Sequence, residues 1–201
     1  MGMNLFAGLL ASIMMIGGVM TTPVNLVFND NSVALLSTAA ASTKGQDNAV
    51  KQAKSYLKTM PFSRQGLIDQ LSSPYGSGFL EEEAVYAVDY LESNKLVDWN
   101  EQAVKCAKNY LKTMAFSRAG LIDQMSSDFG SRFTKEQAEI AISTLESQKL
   151  VDWNEQAVKS AQDYLQFMDF SRQGLIEQLS SQYGSKFTKE QAEYAATAVG
   201  F

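Results

Sequence analysis

The chain has 201 residues, a formal charge of −5, one cysteine and no histidine. These absences exclude an intramolecular disulfide, Cys/His zinc sites, imidazole acid–base chemistry and Ser-His-Asp triads. The acidic balance, without any run of Lys and Arg, also argues against nucleic acid as a partner, because such affinity comes largely from neutralising phosphates.

The first charged side chain is Asp30. Ahead of it, MNLFAGLLASIMMIGGVM is apolar on every side and close to the length that crosses a bilayer. Residues 1–22 therefore read as a signal or transmembrane anchor that exports the rest of the chain. Ala39, Ala40 and Ala41 form a small-residue cleavage site, so cleavage and an uncleaved anchor both stay open. Residues 23–48, with Thr, Asn, Ser and Ala, read as a flexible tether.

From Ala49 the sequence repeats. FSRQGLIDQLSS begins at Phe62 and returns with small edits at Phe116 and Phe170, a spacing of 54 residues. Residues 49–100 and 103–154 share 35 of 52 positions. Self-similarity at such a period means stacked structural units. The units are 49–102, 103–156 and 157–201, and the expected fold is all-α: three compact repeats, helix-turn-helix-like, about three helices each and no strand ladder.

Within a repeat, Ala49, Val50, Ala53, Tyr56, Leu57 and Met60 form one helical stripe, and Pro61 agrees with a stop there. Ser63, Ser117 and Ser171 stand where an N-cap is needed, with Leu67, Ile68 and Leu71 behind the first of them as a short apolar face. Gly66, Gly120 and Gly174 in the first turn point to close approach by a neighbouring backbone. In the following loop Gly76, Gly130 and Gly184 are expected to supply a positive φ, while Tyr75, Phe129 and Tyr183 cover the core. The third helix opens with a capping box, Thr134 with Gln137 and Thr188 with Gln191, behind staple residues Phe133 and Phe187. Leu80 and Glu81–Glu83 replace that device in the first repeat. KLVDWN occurs only between repeats. There Asp98 and Asp152 can cap the next helix with Glu101 and Glu155, and Trp99 and Trp153 are expected to lie largely buried at the repeat junctions.

Few residues carry chemistry. The loop between the second and third helices is too long for a DNA-reading helix-turn-helix, and the would-be reading helix is acid-rich. Arg64, Arg118 and Arg172 either hold an anion or pair with a nearby acid. Asp69, Asp123 and Glu177 recur without a second carboxylate clearly placed beside them, which disfavours acid catalysis and leaves them as candidate partner contacts. No catalytic, cofactor or metal residue is expected.

The pattern A-x-x-Y-L, F-S-x-x-G-L-I-x-Q-L-S-S, G-x-x-F, A-x-x-A and V-D-W resembles the Ltp-type repeat of the host cell surface-exposed lipoprotein family of Gram-positive bacteria and their phages. The resemblance covers all three repeats. It implies helical repeats displayed outside the cell membrane and, for phage-encoded members, superinfection exclusion. In that role a surface protein blocks DNA injection by engaging the injection machinery, with the tape measure protein as candidate partner. The family anchors through a lipobox cysteine, whereas Cys106 lies inside the second repeat. The apolar N-terminus is then expected to hold the repeats on the outer face of the membrane, or the protein is secreted. The rival expectation is a cell-envelope module that binds wall polymer or a host surface protein.

Overall fold

A computed structural model of the chain describes residues 25–29, 32–36 and 42–201. The expected anchor, residues 1–22, and the alanine cleavage site lie outside them. The chain divides into two units between Ser42 and Thr43. In the first, strand β1 (Asn25–Asn29) pairs antiparallel with β2 (Ser32–Leu36), in register from Asn25 opposite Leu36 to Asn29 opposite Ser32. This ladder falls in the stretch expected to be a tether.

The second unit is helical, and its described residues form three helices per repeat. Repeat 1 holds α1 (Lys44–Thr59), α2 (Arg64–Ser72) and α3 (Glu81–Ser93). Repeat 2 holds α4 (Trp99–Thr113), α5 (Arg118–Ser126) and α6 (Lys135–Ser147). Repeat 3 holds α7 (Trp153–Leu165), α8 (Arg172–Ser180) and α9 (Lys189–Ala198).

Side-chain oxygens set most helix starts. Ser63, Ser117 and Ser171 each accept from the N–H of the glycine three residues on, at 2.9, 3.0 and 3.1 Å. The capping boxes at Thr134 and Thr188 form in full. At Leu80 only half of the device exists, the Glu83 carboxylate accepting from the Leu80 N–H. Two boundaries move from the sequence reading. Thr43 and Gln46 make a capping box that starts α1 at Lys44, not Ala49. Asp98 and Asp152 cap the next helix directly, so α4 and α7 begin at the tryptophans and each repeat begins some four residues earlier than expected.

Each repeat closes its own core. In repeat 1, Ala49, Val50 and Ala53 of α1 meet Leu67, Ile68 and Leu71 of α2, and Ala84, Ala87, Val88 and Leu91 of α3. The alanines let the first and third helices lie close, and the leucines fill the space under the second. Repeats 2 and 3 reproduce this arrangement, and the main helix–helix packing lies within repeats. The stripe ends sooner than expected, since Met60, Met114 and Met168 are exposed just past their helices.

The loop between the second and third helices departs most from expectation. Gly76, Gly130 and Gly184 do not have positive φ. A Cβ there would fall on the carbonyl oxygen of Gln70, Gln124 or Gln178, so glycine is needed for contact, not for handedness. The left-handed residue comes two places later: Gly78 (φ 66°), Arg132 (φ 56°) and Lys186 (φ 59°). Tyr75, Phe129 and Tyr183 do not cover the core but stand fully exposed at the loop tips, because the tight turn before the glycine aims them outward.

Candidate functional site at the repeat junctions

Two sets of contacts join consecutive repeats. The first uses the loop just described. Its inner side is tied to its own repeat through the Tyr56 hydroxyl, which lies 2.8 Å from Ser77 Oγ and accepts from Gln70 Nε2 at 3.3 Å. Tyr110 and Tyr164 repeat this with Ser131 and Gln124, and with Ser185 and Gln178. Its outer side reaches the preceding repeat. The Ser131 carbonyl oxygen lies 3.6 Å from where a Cβ on Gly66 would be, and that of Ser185 stands equally close to Gly120. Arg132 then bonds the carboxylate of Asp69, and Lys186 Nζ donates to Asp123 Oδ2 at 2.6 Å. A groove of about 490 Å³ at the first junction, and of about 370 Å³ at the second, runs along these contacts.

The second set runs through the tryptophans. Trp99 packs on the core of repeat 1 and donates from Nε1 to Glu92 Oε1 at 2.6 Å, where Arg64 Nε also donates at 3.1 Å. Arg64 reaches Asp89 as well. Trp153, Glu146 and Arg118 repeat the relay at 2.9 Å for each bond. In repeat 3 Gly200 stands where the glutamate would be, and Arg172 lacks this acid. The tryptophans are half-buried at the junctions, each ring lying on the face of the preceding core and not between two cores. They open the helix of one repeat while packing on another.

The three candidate contact carboxylates therefore have different surroundings. Asp69 and Asp123 are engaged within the array, Asp69 accepting also from Gln65. Among the described residues, Glu177 accepts only from Gln173 Nε2, at 2.8 Å within its own helix. The sequence reading missed the loop cations Arg132 and Lys186. A signal was available: the position is glycine in the first repeat and cationic only in the two that have a repeat before them.

Among the described residues there is no cluster of three or more His, Cys, Asp or Glu able to hold a metal, and no helix long and apolar enough to cross a membrane. Cys106 is buried, and burial pushes its thiol pKa above the ordinary value despite a hydrogen bond with Ser131.

Comparison with known proteins agrees with the three-part organisation. Residues 44–91, 98–145 and 152–199 each match the family described as host cell surface-exposed lipoprotein. No curated protein matches the chain. A solved structure, that of Ltp, a superinfection exclusion protein from the Streptococcus thermophilus temperate phage TP-J34, is 32% identical. The match covers 52% of this chain and 99% of that one, with a TM-score of 0.46.

Proposed function

We infer that this chain, which belongs to the host cell surface-exposed lipoprotein family, is displayed at the cell surface and excludes superinfecting phage at the step of DNA injection. It does so by holding a protein of the injection machinery, for which the tape measure protein is the candidate. The N-terminal apolar segment keeps the repeats at the membrane, where that machinery must pass. Family membership across all three repeats carries this reading.

The surface is suited to binding. Each repeat presents one fully exposed aromatic on a tight turn, Tyr75, Phe129 and Tyr183. An aromatic side chain has only two rotatable bonds and so loses little freedom on binding, which is why such residues anchor interfaces. Three similar units can also act together on one target through effective concentration.

The test is expression in a sensitive Gram-positive host followed by challenge with related phages. Normal adsorption with lost DNA injection is the expected result. A triple Tyr75→Ser, Phe129→Ser, Tyr183→Ser variant should fold normally and protect less. Unchanged plating across a broad panel would overturn the reading in favour of the cell-envelope module.

A further inference from the structure

The molecule contains two built examples of a loop bound to a receptor face. At the first junction the receptor is α2 of repeat 1, and at the second it is α5 of repeat 2. In both, a Gly-Ser-cation loop lays its serine carbonyl beside the first-turn glycine, and its cation bonds the carboxylate three residues further along the helix. The N-cap serine below is covered as a result, to 1% exposure at both Ser63 and Ser117.

Repeat 3 carries the same face without a loop on it in the described structure. Ser171 is exposed, no other repeat comes within 4 Å of a Cβ on Gly174, and Glu177 holds only its helical neighbour Gln173. Phe170 and Gln178 keep the places and partners that Phe62 and Gln70 have in repeat 1. We propose that this face of α8, from Ser171 to Gln178, is a receptor for a protein loop that presents Lys or Arg directly after an exposed serine carbonyl.

The occupant is a different protein rather than a second copy. In this chain the loops of repeats 2 and 3 are already clasped to their preceding repeats. The remaining loop, that of repeat 1, has Gly78 where the others carry Arg132 and Lys186. A second copy docking head-to-tail would bring backbone to Gly174 but no cation to Glu177. The Gly78 position thus disfavours the open-ended stacking that a head-to-tail contact otherwise allows. The face selects for a basic loop from elsewhere. This inference goes beyond the phage reading, and its test contains no phage.

The probe is a cyclised peptide with the sequence SDFGSRF, the loop of repeat 2, titrated into the isotopically labelled full chain. A second peptide, SDFGSGF, lacks the cation. Amide shifts centred on Gly174 to Gln178 are expected, with binding about fivefold weaker for the glycine peptide, the worth of one exposed ion pair. Glu177→Lys should weaken the first peptide similarly and leave the second unchanged, and added salt should narrow the gap between the peptides. The proposal fails if Gly174 to Gln178 do not move, or if both peptides bind alike. It fails equally if Gly66 and Gly120 respond as strongly, since their faces are occupied. Shifts at α8 that grow with protein concentration alone would mean that a second copy is the occupant.

Discussion

The interior of repeat 2 and the junctions on either side of it are made of opposite materials. The interior is apolar and closed: Leu121, Met125, Ile142 and Leu145 have no exposure, and alanines bring α4 and α6 together. The junctions are polar and thin, an arginine or lysine on an aspartate, an indole N–H on a glutamate, a serine carbonyl against a glycine. Burial of apolar area supplies most folding free energy, whereas exposed ion pairs contribute about 0–1 kcal/mol. The difference teaches that each repeat holds most of its own stability, while the contacts between repeats mainly set their arrangement.

A core substitution tests the first half of that statement. Leu121→Ala should cost about 2–5 kcal/mol, as large-to-small changes in closed cores do. The loss should fall on repeat 2. Hydrogen exchange should accelerate around Leu121 and Leu145 but hardly around Leu67 or Leu175. Because the Cys106 thiol is buried in that core with its pKa raised, its alkylation rate gives a second readout of the opening of repeat 2. Equal loss of protection in all three repeats would break the comparison, showing one cooperative array in place of three cores.

Gly130→Ala should come next, at about 2–3 kcal/mol, because the new methyl must displace the Gln124 carbonyl and so open the loop. Thermal melts of the variant against Gly78→Ala sharpen the point. At Gly78 a Cβ meets nothing but the φ is 66°, so the cost there should be about 1–2 kcal/mol. A cost at Gly78 larger than at Gly130 would mean that handedness, not contact, governs this turn.

Much of this was legible beforehand, and the reason is local. Caps at Ser63, Thr134 and Asp98 act on N–H groups two or three residues away, and apolar stripes report a helix face directly. What was not legible depends on distant chain. Glycine at 76, 130 and 184 was visible, but not whether a positive φ or a close carbonyl required it. The aromatics at 75, 129 and 183 were read as core by type, whereas only the turn geometry says that they face outward. Asp69 and Arg132 are 63 residues apart, a helix in one repeat and a loop in the next, so no window of sequence contains the pair. Of the candidate site, the tryptophans, the first-turn glycines and the carboxylates were legible, and the loop cations Arg132 and Lys186 that join them were not.

Trp153→Ala should cost less than the core change, about 1–2 kcal/mol, since the ring is half-buried and its Nε1 donates one bond to Glu146. Trp153→Phe should recover the packing share and leave the hydrogen-bond share missing. Chemical denaturation of both variants gives the split. A loss of about 3 kcal/mol or more for the alanine variant would place the junction on the scale of a core.

The smallest expected effect is the most informative about arrangement. Arg132→Gly removes the clasp between repeats 1 and 2 but also removes a left-handed arginine. Leaving that conformation to glycine returns about 1–2 kcal/mol. Against this stand the added freedom of a glycine in the unfolded chain, about 0.5–1 kcal/mol, and the lost ion pair, about 0.2–1 kcal/mol. The terms nearly cancel, so the unfolding midpoint should hardly move. The relative orientation of repeats 1 and 2 should nevertheless broaden, which residual dipolar couplings measure, while repeats 2 and 3, still joined through Lys186 and Asp123, keep theirs. Asp69→Asn should broaden the same junction without touching the backbone. High salt should bring the wild type toward both variants, because the pair is part-exposed and screening reaches it. If Arg132→Gly instead lowers stability by about 2 kcal/mol or more with the orientation unchanged, beyond what an exposed pair supplies, then the clasp belongs to the fold, and the contrast between interior and junction does not hold.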